Sequence, residues 1–210
     1  MGPLLGRRRL AIALGRVPAH PSPSARLEQY TLTSDDAAEL VWTAYIMGDV
    51  EGKVVLDLGC GTGRLALGCA LLGASYVVGL DVDPLALRIA RESSIALRVE
   101  DRVDFLLADV SSCRIRADVA IQNPPFGVQR RGADRPFIER AVSAAPIVYS
   151  LHKYSPGSRR FIQDFVQRLG RRPALLKTMS IRLPRSLEFH RERFHVVRVD
   201  LYRFAAEGGM

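Results

Sequence analysis

Residues 120–127, "AIQNPPFG", are the part of the sequence whose residue types most directly suggest chemistry. Asn123 is the only asparagine in the chain, and Pro124, Pro125 and Phe126 follow it. An amide oxygen and a backbone carbonyl can each accept one N–H of a planar amine, which aims the nitrogen lone pair at an electrophile. Proline before proline would fix the Pro124 carbonyl, and Phe126 could stack on a flat base for about 1–3 kcal/mol. The motif predicts catalysis by orientation and polar preorganisation; its structural alternative is an Asx turn with a proline stop.

A glycine-rich loop, "DLGCGTG", precedes this motif by about sixty residues. Asp57 ends a short apolar run, and Gly59, Gly61 and Gly63 occupy the turn that follows. Glycines in such a turn let backbone N–H groups approach a ligand because no Cβ intervenes. A dinucleotide fingerprint requires a further glycine where Arg64 stands. An acid followed by GxGxG instead favours S-adenosylmethionine, which has a ribose and an amino-acid tail but no pyrophosphate.

Acidic residues stand at the ends of the next two predicted strands. Asp81 lies 22 residues after Gly59, where its carboxylate can accept hydrogen bonds from both ribose hydroxyls. Asp109 and Val110 are placed to contact the edge of the adenine ring, although an aspartate there could simply cap a turn. Cys60 is expected to pack within the loop rather than act as a nucleophile. Together these residues predict a cofactor site.

Strand and helix patterns alternate regularly after residue 33. This alternation predicts a doubly wound, mostly parallel α/β sheet in a single domain, and two final runs without a helix between them predict an antiparallel end. The predicted strands are 53–58, 75–81, 103–109, 118–123, 146–152, 174–183 and 195–204, and the predicted helices are 34–47, 64–72, 84–99, 136–144 and 158–169. Because parallel strands end at one edge, the loop, the acids and the asparagine motif are expected to meet there.

The first 26 residues form a basic segment that ends in a Pro/Ser-rich linker. Arginines at 7–9 precede an apolar run at 10–14, which is too short for the core of a secretory signal. We therefore expect an amphipathic helix packed on or near a catalytic domain of residues 27–210, in a cytoplasmic protein. No apolar run approaches the roughly 20 residues that cross a bilayer, so no membrane association is expected.

The basic residues are concentrated in the second half of the chain. Residues 1–105 carry 11 Lys and Arg against 13 Asp and Glu, whereas residues 106–210 carry 19 against 9. This asymmetry favours a polyanionic partner for the second half, the alternative being a solvated arginine-rich surface. Three cysteines without CxxC pairing and four histidines without ligand spacing argue against disulfides and a structural zinc site.

Several short motifs together resemble one known family. "LEQY" at 27–30 and "YSLHK" at 149–153 are its most specific features, because "NPPF" occurs in many amino methyltransferases. With "DLGCGTG", "GLDVD", "ADV" and the closing "LPRSLEFH…VDLYRF", the chain resembles the methyltransferase-like protein five family, adenine-N6 methyltransferases of small-subunit ribosomal RNA, in an archaeal-type version. The resemblance implies a seven-stranded Rossmann-like fold and S-adenosylmethionine as donor. Relatives usually continue "LEQY" with Pro-Thr, whereas Thr31 and Leu32 follow here.

The resemblance also assigns roles to residues. By position, the family's cofactor contacts fall on Gln29, Gly59, Thr62, Arg64, Asp81, Asp109 and Val110. The other residues of the glycine loop are predicted to belong to the cofactor site as well; they are Asp57, Cys60, Gly61 and Gly63. Its catalytic motif falls on Asn123, Pro124, Pro125 and Phe126. Basic residues near the motif could bind phosphates around a flipped adenine; the candidates are Arg130, Arg131, Lys153, Arg159 and Arg160, with Arg135 and Arg7–Arg9 in addition. Eukaryotic members work with a small zinc-containing activator subunit, which leaves such a partner open here.

Three functions are consistent with these features. The first is N6-methylation of adenosine in ribosomal RNA or a small-subunit particle. The second is N5-methylation of a protein glutamine, whose amide is also planar and suits the same motif. The third is a ribosome-assembly factor that binds RNA without turnover. The basic second half and Phe126 favour RNA over protein, and the intact glycine loop with Asp81 and Asn123 favours an enzyme.

Overall fold

The computed structural model describes residues 5–127, 132–184 and 194–206, which contain seven strands and six α-helices. The strands are β1 (Val54–Leu58), β2 (Tyr76–Asp81), β3 (Val103–Leu107), β4 (Val119–Gln122), β5 (Ile147–Lys153), β6 (Arg171–Pro184) and β7 (Phe194–Ala206). The helices are α1 (Arg7–Leu14), α2 (Ser34–Ile46), α3 (Arg64–Leu71), α4 (Pro84–Leu97), α5 (Arg135–Ala144) and α6 (Pro156–Arg168). Short 3-10 turns cover Ala25–Leu27 and Val110–Ser112.

All seven strands belong to one sheet, in the order β3-β2-β1-β4-β5-β7-β6. Strands β1 to β5 are parallel, and β7 runs antiparallel to both β5 and β6. The predicted fold class, a mostly parallel doubly wound sheet with an antiparallel C-terminal end, is confirmed. The chain order reverses beside β1, which has β2 on one side and β4 on the other. Ligands of such sheets bind outside the carboxyl ends of the strands at this reversal.

The sheet separates two apolar cores. The first lies under α1, α2 and α3 and contains Leu10 and Tyr149, both fully buried. The second lies under α5 and α6 and contains Ile138 and Phe204. Because both faces are covered, the central strands are continuous apolar runs rather than alternating ones, and β4 is buried at every position.

Side-chain caps lie at the starts of three helices; α2 and α4 begin where the sequence predicts, whereas α6 begins at Pro156 and not at the predicted Ser158, because Ser155 caps it. Thr33 accepts the Asp36 N–H at 3.1 Å at the start of α2, and Asp83 accepts the Leu85 N–H at 2.9 Å at the start of α4. Ser155 caps α6 in the same way. Each cap satisfies a backbone donor that has no partner inside its helix, typically for about 1 kcal/mol.

Helix α1 lies against α2 and α3. Leu10 and Leu14 are buried in the first core, while Arg8 and Arg9 point to solvent. This separation of apolar and charged faces is the amphipathic pattern that the sequence predicts. In the ranges that the structure describes, no helix has both the length and the apolar character required to span a bilayer.

Candidate active site

A cavity of about 510 Å³ opens at the carboxyl ends of β1, β2 and β4, where the strand order reverses. Its volume lies within the usual range for small-molecule sites, roughly 300–1,000 Å³. Its walls come from residues 26–32, the glycine loop at 59–62, the strand-end acids Asp81 and Asp109, and the motif residue Asn123. The three predicted parts of the site are therefore brought together.

The glycine loop adopts a conformation that needs glycine. Gly59, Gly61 and Gly63 have φ values of +70°, +53° and +86°, in the left-handed region. A Cβ on Gly59 would lie 2.8 Å from Cε1 of Phe137, which leaves no room for a side chain. The Gly61 N–H donates to Oδ2 of Asp81 at 2.8 Å, so the loop is fastened to the end of β2.

Asp81 presents its carboxylate at the cavity wall. Besides the Gly61 bond, its Oδ1 accepts the Asp83 N–H at 3.0 Å, which fixes the plane of the carboxylate. Burial raises its pKa from the ordinary value, although three backbone hydrogen bonds act in the opposite direction. Asp81 lines the cavity, and its contact with ligand hydroxyls stays a prediction.

Asp57 and Gly63 lie behind the loop rather than in the cavity wall. Asp57 is fully buried, and its Oδ2 accepts the Ala66 N–H at 2.9 Å, which anchors the first turn of α3. Burial, reinforced by the charge of Asp81, raises its pKa to about 7. A Cβ on Gly63 would lie 3.0 Å from the Cβ of Ala90. Both were predicted as cofactor contacts; the structure places them as supports of the loop, because they face α3 and α4.

Other predicted cofactor residues of the loop do reach the cavity. Cys60 and Thr62 line it, and the buried Thr62 hydroxyl has no hydrogen-bond partner in the described part of the chain. Arg64 also lines it, but its guanidinium donates to the carbonyls of Leu32 and, at 2.7 Å, of Val17. Burial lowers the pKa of Arg64. Arg64 therefore ties the loop to the N-terminal segment, and a direct cofactor contact stays a prediction.

Gln29 joins the N-terminal segment to the start of α4. Its Nε2 donates to Oδ2 of Asp83 at 2.8 Å, and His20 Nε2 lies 2.9 Å from the same oxygen. Its Oε1 accepts the Ser24 N–H at 2.7 Å. Burial acts to raise the pKa of Asp83, but the Gln29 amide and backbone donors outweigh it and lower the pKa. Sequence reasoning missed Asp83 and His20; the second aspartate of "GLDVD" was the available signal.

The asparagine motif contributes two residues to the cavity wall. Asn123 and Pro125 line the cavity, and Oδ1 of Asn123 accepts a hydrogen bond from the Tyr30 hydroxyl at 3.2 Å. Pro124 is buried, and the Phe126 ring lies beside the cavity, 4.9 Å from the Tyr30 ring at a 41° tilt. Burial raises the pKa of Tyr30 well above its ordinary value, so its hydroxyl stays a donor. Tyr30 is a third residue that sequence reasoning missed, and only the "LEQY" motif signalled it.

Asp109 and Val110 follow β3, which ends at Leu107 and not at Asp109 as the sequence predicts, because Asp109 caps the 3-10 turn that begins at Val110. Both line the cavity, and Oδ1 of Asp109 accepts the Ser111 N–H at 2.8 Å. The hydrogen bonds from Ser111 lower the pKa of Asp109. Asp109 thus caps a 3-10 turn and also lines the cavity. Its interpretation as a turn cap is therefore compatible with its interpretation as a cofactor contact.

A buried polar chain lies directly behind the asparagine motif. Gln122 Nε2 donates to the Ser150 hydroxyl at 3.0 Å, and Ser150 lies 2.8 Å from His152 Nε2. His152 Nδ1 in turn lies 3.5 Å from an Asp134 oxygen. The chain couples β4 and β5 to the start of α5, which contributes Phe137 to the cavity wall. Sequence reasoning treated His152 as an ordinary histidine and missed this network.

The predicted RNA contacts that the structure describes lie outside the cavity. Lys153 and Arg160 are exposed near the carboxyl edge of the sheet. Arg159 instead donates to both carboxylate oxygens of Asp200, at 2.7 and 2.9 Å. Arg130 and Arg131 lie outside the described residues. Within 5–127, 132–184 and 194–206, no three His, Cys, Asp or Glu side chains come together as a metal site.

Comparison with known proteins identifies the family to which the chain is similar. The ribosomal protein L11 methyltransferase (PrmA) family model matches residues 39–124, which run from α2 to the asparagine motif. Over nearly the full chain, two relatives are rRNA N(6)-adenosine-methyltransferases. They are METTL5 of Danio rerio (34% identical, 94% of this chain and 97% of the relative) and Mettl5 of Drosophila melanogaster (34%, 94% and 95%). An uncharacterised Methanocaldococcus jannaschii protein is 33% identical over 98% of this chain and 96% of its own.

Solved structures agree with this assignment. A crystal structure of a proposed RNA methyltransferase from Pyrococcus horikoshii superposes with a TM-score of 0.91 at 40% identity, covering 97% of this chain and 98% of the other. Synechocystis magnesium protoporphyrin IX methyltransferase with bound SAM, at 19% identity and a TM-score of 0.62 over 81% of this chain and 78% of its own, shares the fold alone. The chain belongs to the METTL5 family of rRNA N(6)-adenosine-methyltransferases.

Proposed function

We propose that the protein transfers the methyl group of S-adenosylmethionine to N6 of an adenosine in RNA, with small-subunit ribosomal RNA as the substrate. The observation that carries the proposal is the position of Asn123, which lines the same cavity as the glycine loop and Asp81. The relatives that match the whole chain are named for this reaction, whereas the L11 methyltransferase relatives match 36% of the chain.

The residues present fit the methyl donor. The donor supplies a cationic, already activated methyl group, so no strong base is required of the protein. Asp81 would hold the ribose hydroxyls, and Gly59, Gly61 and the unpartnered Thr62 hydroxyl would hold the amino-acid tail. Val110 would cover the adenine ring of the cofactor. These positions agree with the rule that ligands of this fold bind outside the strand ends.

The reacting amine is oriented by two acceptors. A carbonyl oxygen has two lone pairs, and Tyr30 uses one of those on Asn123 Oδ1, which leaves the other for an N6–H. The Pro124 carbonyl accepts the second N–H, and Phe126 stacks on the base. With both protons held, the nitrogen lone pair points toward the methyl carbon. Bound S-adenosylmethionine would supply the methyl carbon as the electrophile, S-adenosylhomocysteine would be the leaving group, and the proton released from the amine would pass to solvent. Catalysis is then positional and electrostatic.

Basic residues outside the cavity bind the phosphates that flank the flipped adenosine. Lys153 and Arg160 are exposed at the carboxyl edge, and Arg130 and Arg131 follow the motif in sequence. Because Arg159 is already paired with Asp200, its contribution is to shape this surface.

Three further features belong to the proposal. Residues 1–26 form a basic segment that packs on the methyltransferase domain of residues 27–210, supported by the burial of Leu10 and Leu14. The protein acts in the cytoplasm, a proposal supported by relatives named for the methylation of ribosomal RNA. A small zinc-containing activator subunit is a candidate partner, as the family resemblance implies.

One labelling experiment tests the function. The protein is incubated with methyl-labelled S-adenosylmethionine and, separately, with small-subunit ribosomal RNA, intact small subunits and ribosomal proteins. Digestion and mass spectrometry are expected to find the label as N6-methyladenosine in RNA. Label recovered as N5-methylglutamine would establish the protein-methyltransferase alternative. Cofactor binding without labelled product in any fraction would favour the non-catalytic assembly factor.

A further inference from the structure

Strands β6 and β7 extend beyond the rest of the sheet at the edge that carries the cavity. β5 ends at Lys153 opposite Val199, whereas residues 194–198 of β7 are paired in the sheet only with β6. We call residues 180–184 with 194–198 the overhanging ribbon. Five more strand residues reach roughly 17 Å past the end of β5. The ribbon therefore lies at the same edge of the sheet as the proposed active site.

The two faces of the overhanging ribbon differ. Ile181 is fully buried, and Val197 packs against the first core, so one face is covered. Side chains alternate along a strand, which puts Arg182, Val196 and Arg198 on the opposite face. All three are exposed, and Val196 is 66% exposed. We call these three residues the ribbon face.

The base of the ribbon face is held in place by a cluster of side chains. Arg159 binds Asp200 bidentately and donates to the Thr178 hydroxyl at 2.8 Å, which ties α6 to both strands. The Tyr154 ring lies within 4.2 Å of the Arg198 guanidinium and 4.6 Å of the Arg159 guanidinium. The Tyr154 N–H also donates to the Arg198 carbonyl at 2.9 Å. Arg198 is thus positioned by an aromatic ring.

The ribbon face carries more positive than negative charge. Asp200, two residues from Arg198 along β7 on the same face, pairs with Arg159 and also interacts electrostatically with Arg198, so that one carboxylate serves two arginines. Neither Arg182 nor Arg198 forms an ion pair within the described part of the chain. Arginine presents a planar fork that matches phosphate geometry, and an exposed apolar side chain between two such forks suits a sugar or base. This combination fits a nucleic-acid strand.

We propose that the ribbon face binds the RNA strand that flanks the target adenosine. The inference rests on the proposed function and adds a contact surface that the sequence motifs do not mark. Arg198 lies two strands away from Asn123 and further along the ribbon, roughly 14 Å from it. The ribbon face therefore contacts nucleotides some positions away from the flipped base, with Arg182 and Arg198 each binding one phosphate.

Paired variants test the surface. The double variant Arg182→Ala/Arg198→Ala is compared with Arg88→Ala/Arg91→Ala, which removes the same charge from exposed positions on α4 at the other end of the sheet. The dissociation constant for small-subunit ribosomal RNA is measured across KCl concentrations. KM and kcat are measured for that RNA and for a short single-stranded oligonucleotide with one adenosine. Cofactor affinity equal to wild type shows that each variant is folded.

The ribbon variant is expected to weaken RNA binding about tenfold and to reduce the slope of log K against log salt by about 1.4, for two released phosphates. Its KM for ribosomal RNA should rise, while kcat and the kinetics on the short oligonucleotide stay as in wild type. Arg198→Lys, tested alone, should keep the wild-type slope. The α4 control should behave as wild type.

Two results would overturn the inference. The first is a ribbon variant with wild-type RNA affinity and salt slope, and the second is equal weakening by both double variants, which would indicate a general charge effect. If wild-type protein methylates no RNA, the proposed function fails, but the binding slopes still decide for or against the ribbon face.

Discussion

The hydrogen bond between Tyr30 and Asn123 makes a specific prediction about the rate of methyl transfer. Tyr30→Phe removes only the hydroxyl that donates to Asn123 Oδ1 at 3.2 Å. The ring remains, and with it the contact with Phe126 at 4.9 Å. The variant should therefore keep the shape of the cavity while freeing the amide of Asn123 to rotate.

The expected magnitude follows from that single bond. A neutral hydrogen bond between protein groups contributes about 0.5–1.5 kcal/mol. If the bond serves to hold the amide in its reactive orientation, its loss appears in the transition state and lowers kcat by about 2- to 13-fold. Because burial raises the pKa of Tyr30 well above its ordinary value, the wild-type rate should show no ionisation of this group below about pH 10.

The assay is single-turnover methyl transfer to small-subunit ribosomal RNA at saturating S-adenosylmethionine, with calorimetry for cofactor affinity. Tyr45→Phe is the matched control, because its exposed hydroxyl makes only a 3.4 Å contact with Glu51. Tyr30→Phe should slow transfer and leave cofactor affinity unchanged. A rate equal to that of Tyr45→Phe would refute the orienting role. A loss of cofactor affinity that accounts for the slower rate would place the hydroxyl on the cofactor instead.

Two further substitutions test the supports of the cofactor site. Asp81→Ala should weaken S-adenosylmethionine binding about 10- to 150-fold, because hydrogen bonds to a charged group contribute about 1.5–3 kcal/mol; unchanged affinity by calorimetry would discard the ribose assignment. Asp57→Asn tests stability. The pKa of Asp57 is about 7 in the folded protein and 3.8 in its ordinary state, so the wild type loses stability as the pH rises from about 4 to about 7, by at most about 4 kcal/mol. Denaturant unfolding at about pH 4 and about pH 8 measures the free energy of unfolding of both proteins. Relative to wild type, the variant should be more stable at the higher pH than at the lower one. A difference in unfolding free energy that is the same at both pH values would contradict the raised pKa.

Much of the fold followed from local patterns. The alternation of β-rich runs with helices can be seen in consecutive residues, so the mostly parallel sheet and its antiparallel end could be predicted without knowledge of contacts. The same holds for the glycine loop, Asp81 and Asn123, since each stands at the end of a strand and parallel strands end at one edge. The positive φ at Gly59 and the missing room for a Cβ explain why the glycine spacing was informative.

What the sequence did not reveal depends on long-range contacts. Tyr30 and Asn123 are 93 positions apart, and Arg159 and Asp200 are 41 apart, so no spacing rule joins either pair. The candidate phosphate-binding residues therefore included Arg159, whose guanidinium instead pairs with Asp200 within the protein. Asp57 was predicted at the ligand because of its place before the loop; its complete burial appears only when α3 is packed over it.

Methyl transfer by Asn123→Ala tests the central claim most directly. The substitution leaves the glycine loop and Asp81 in place but removes the side-chain acceptor of the reacting amine. Cofactor affinity should stay at the wild-type value, while transfer to ribosomal RNA under single-turnover conditions should fall by about 10²- to 10³-fold, as for the loss of other preorganised transition-state contacts. Transfer at the wild-type rate, with cofactor binding intact, would contradict the account.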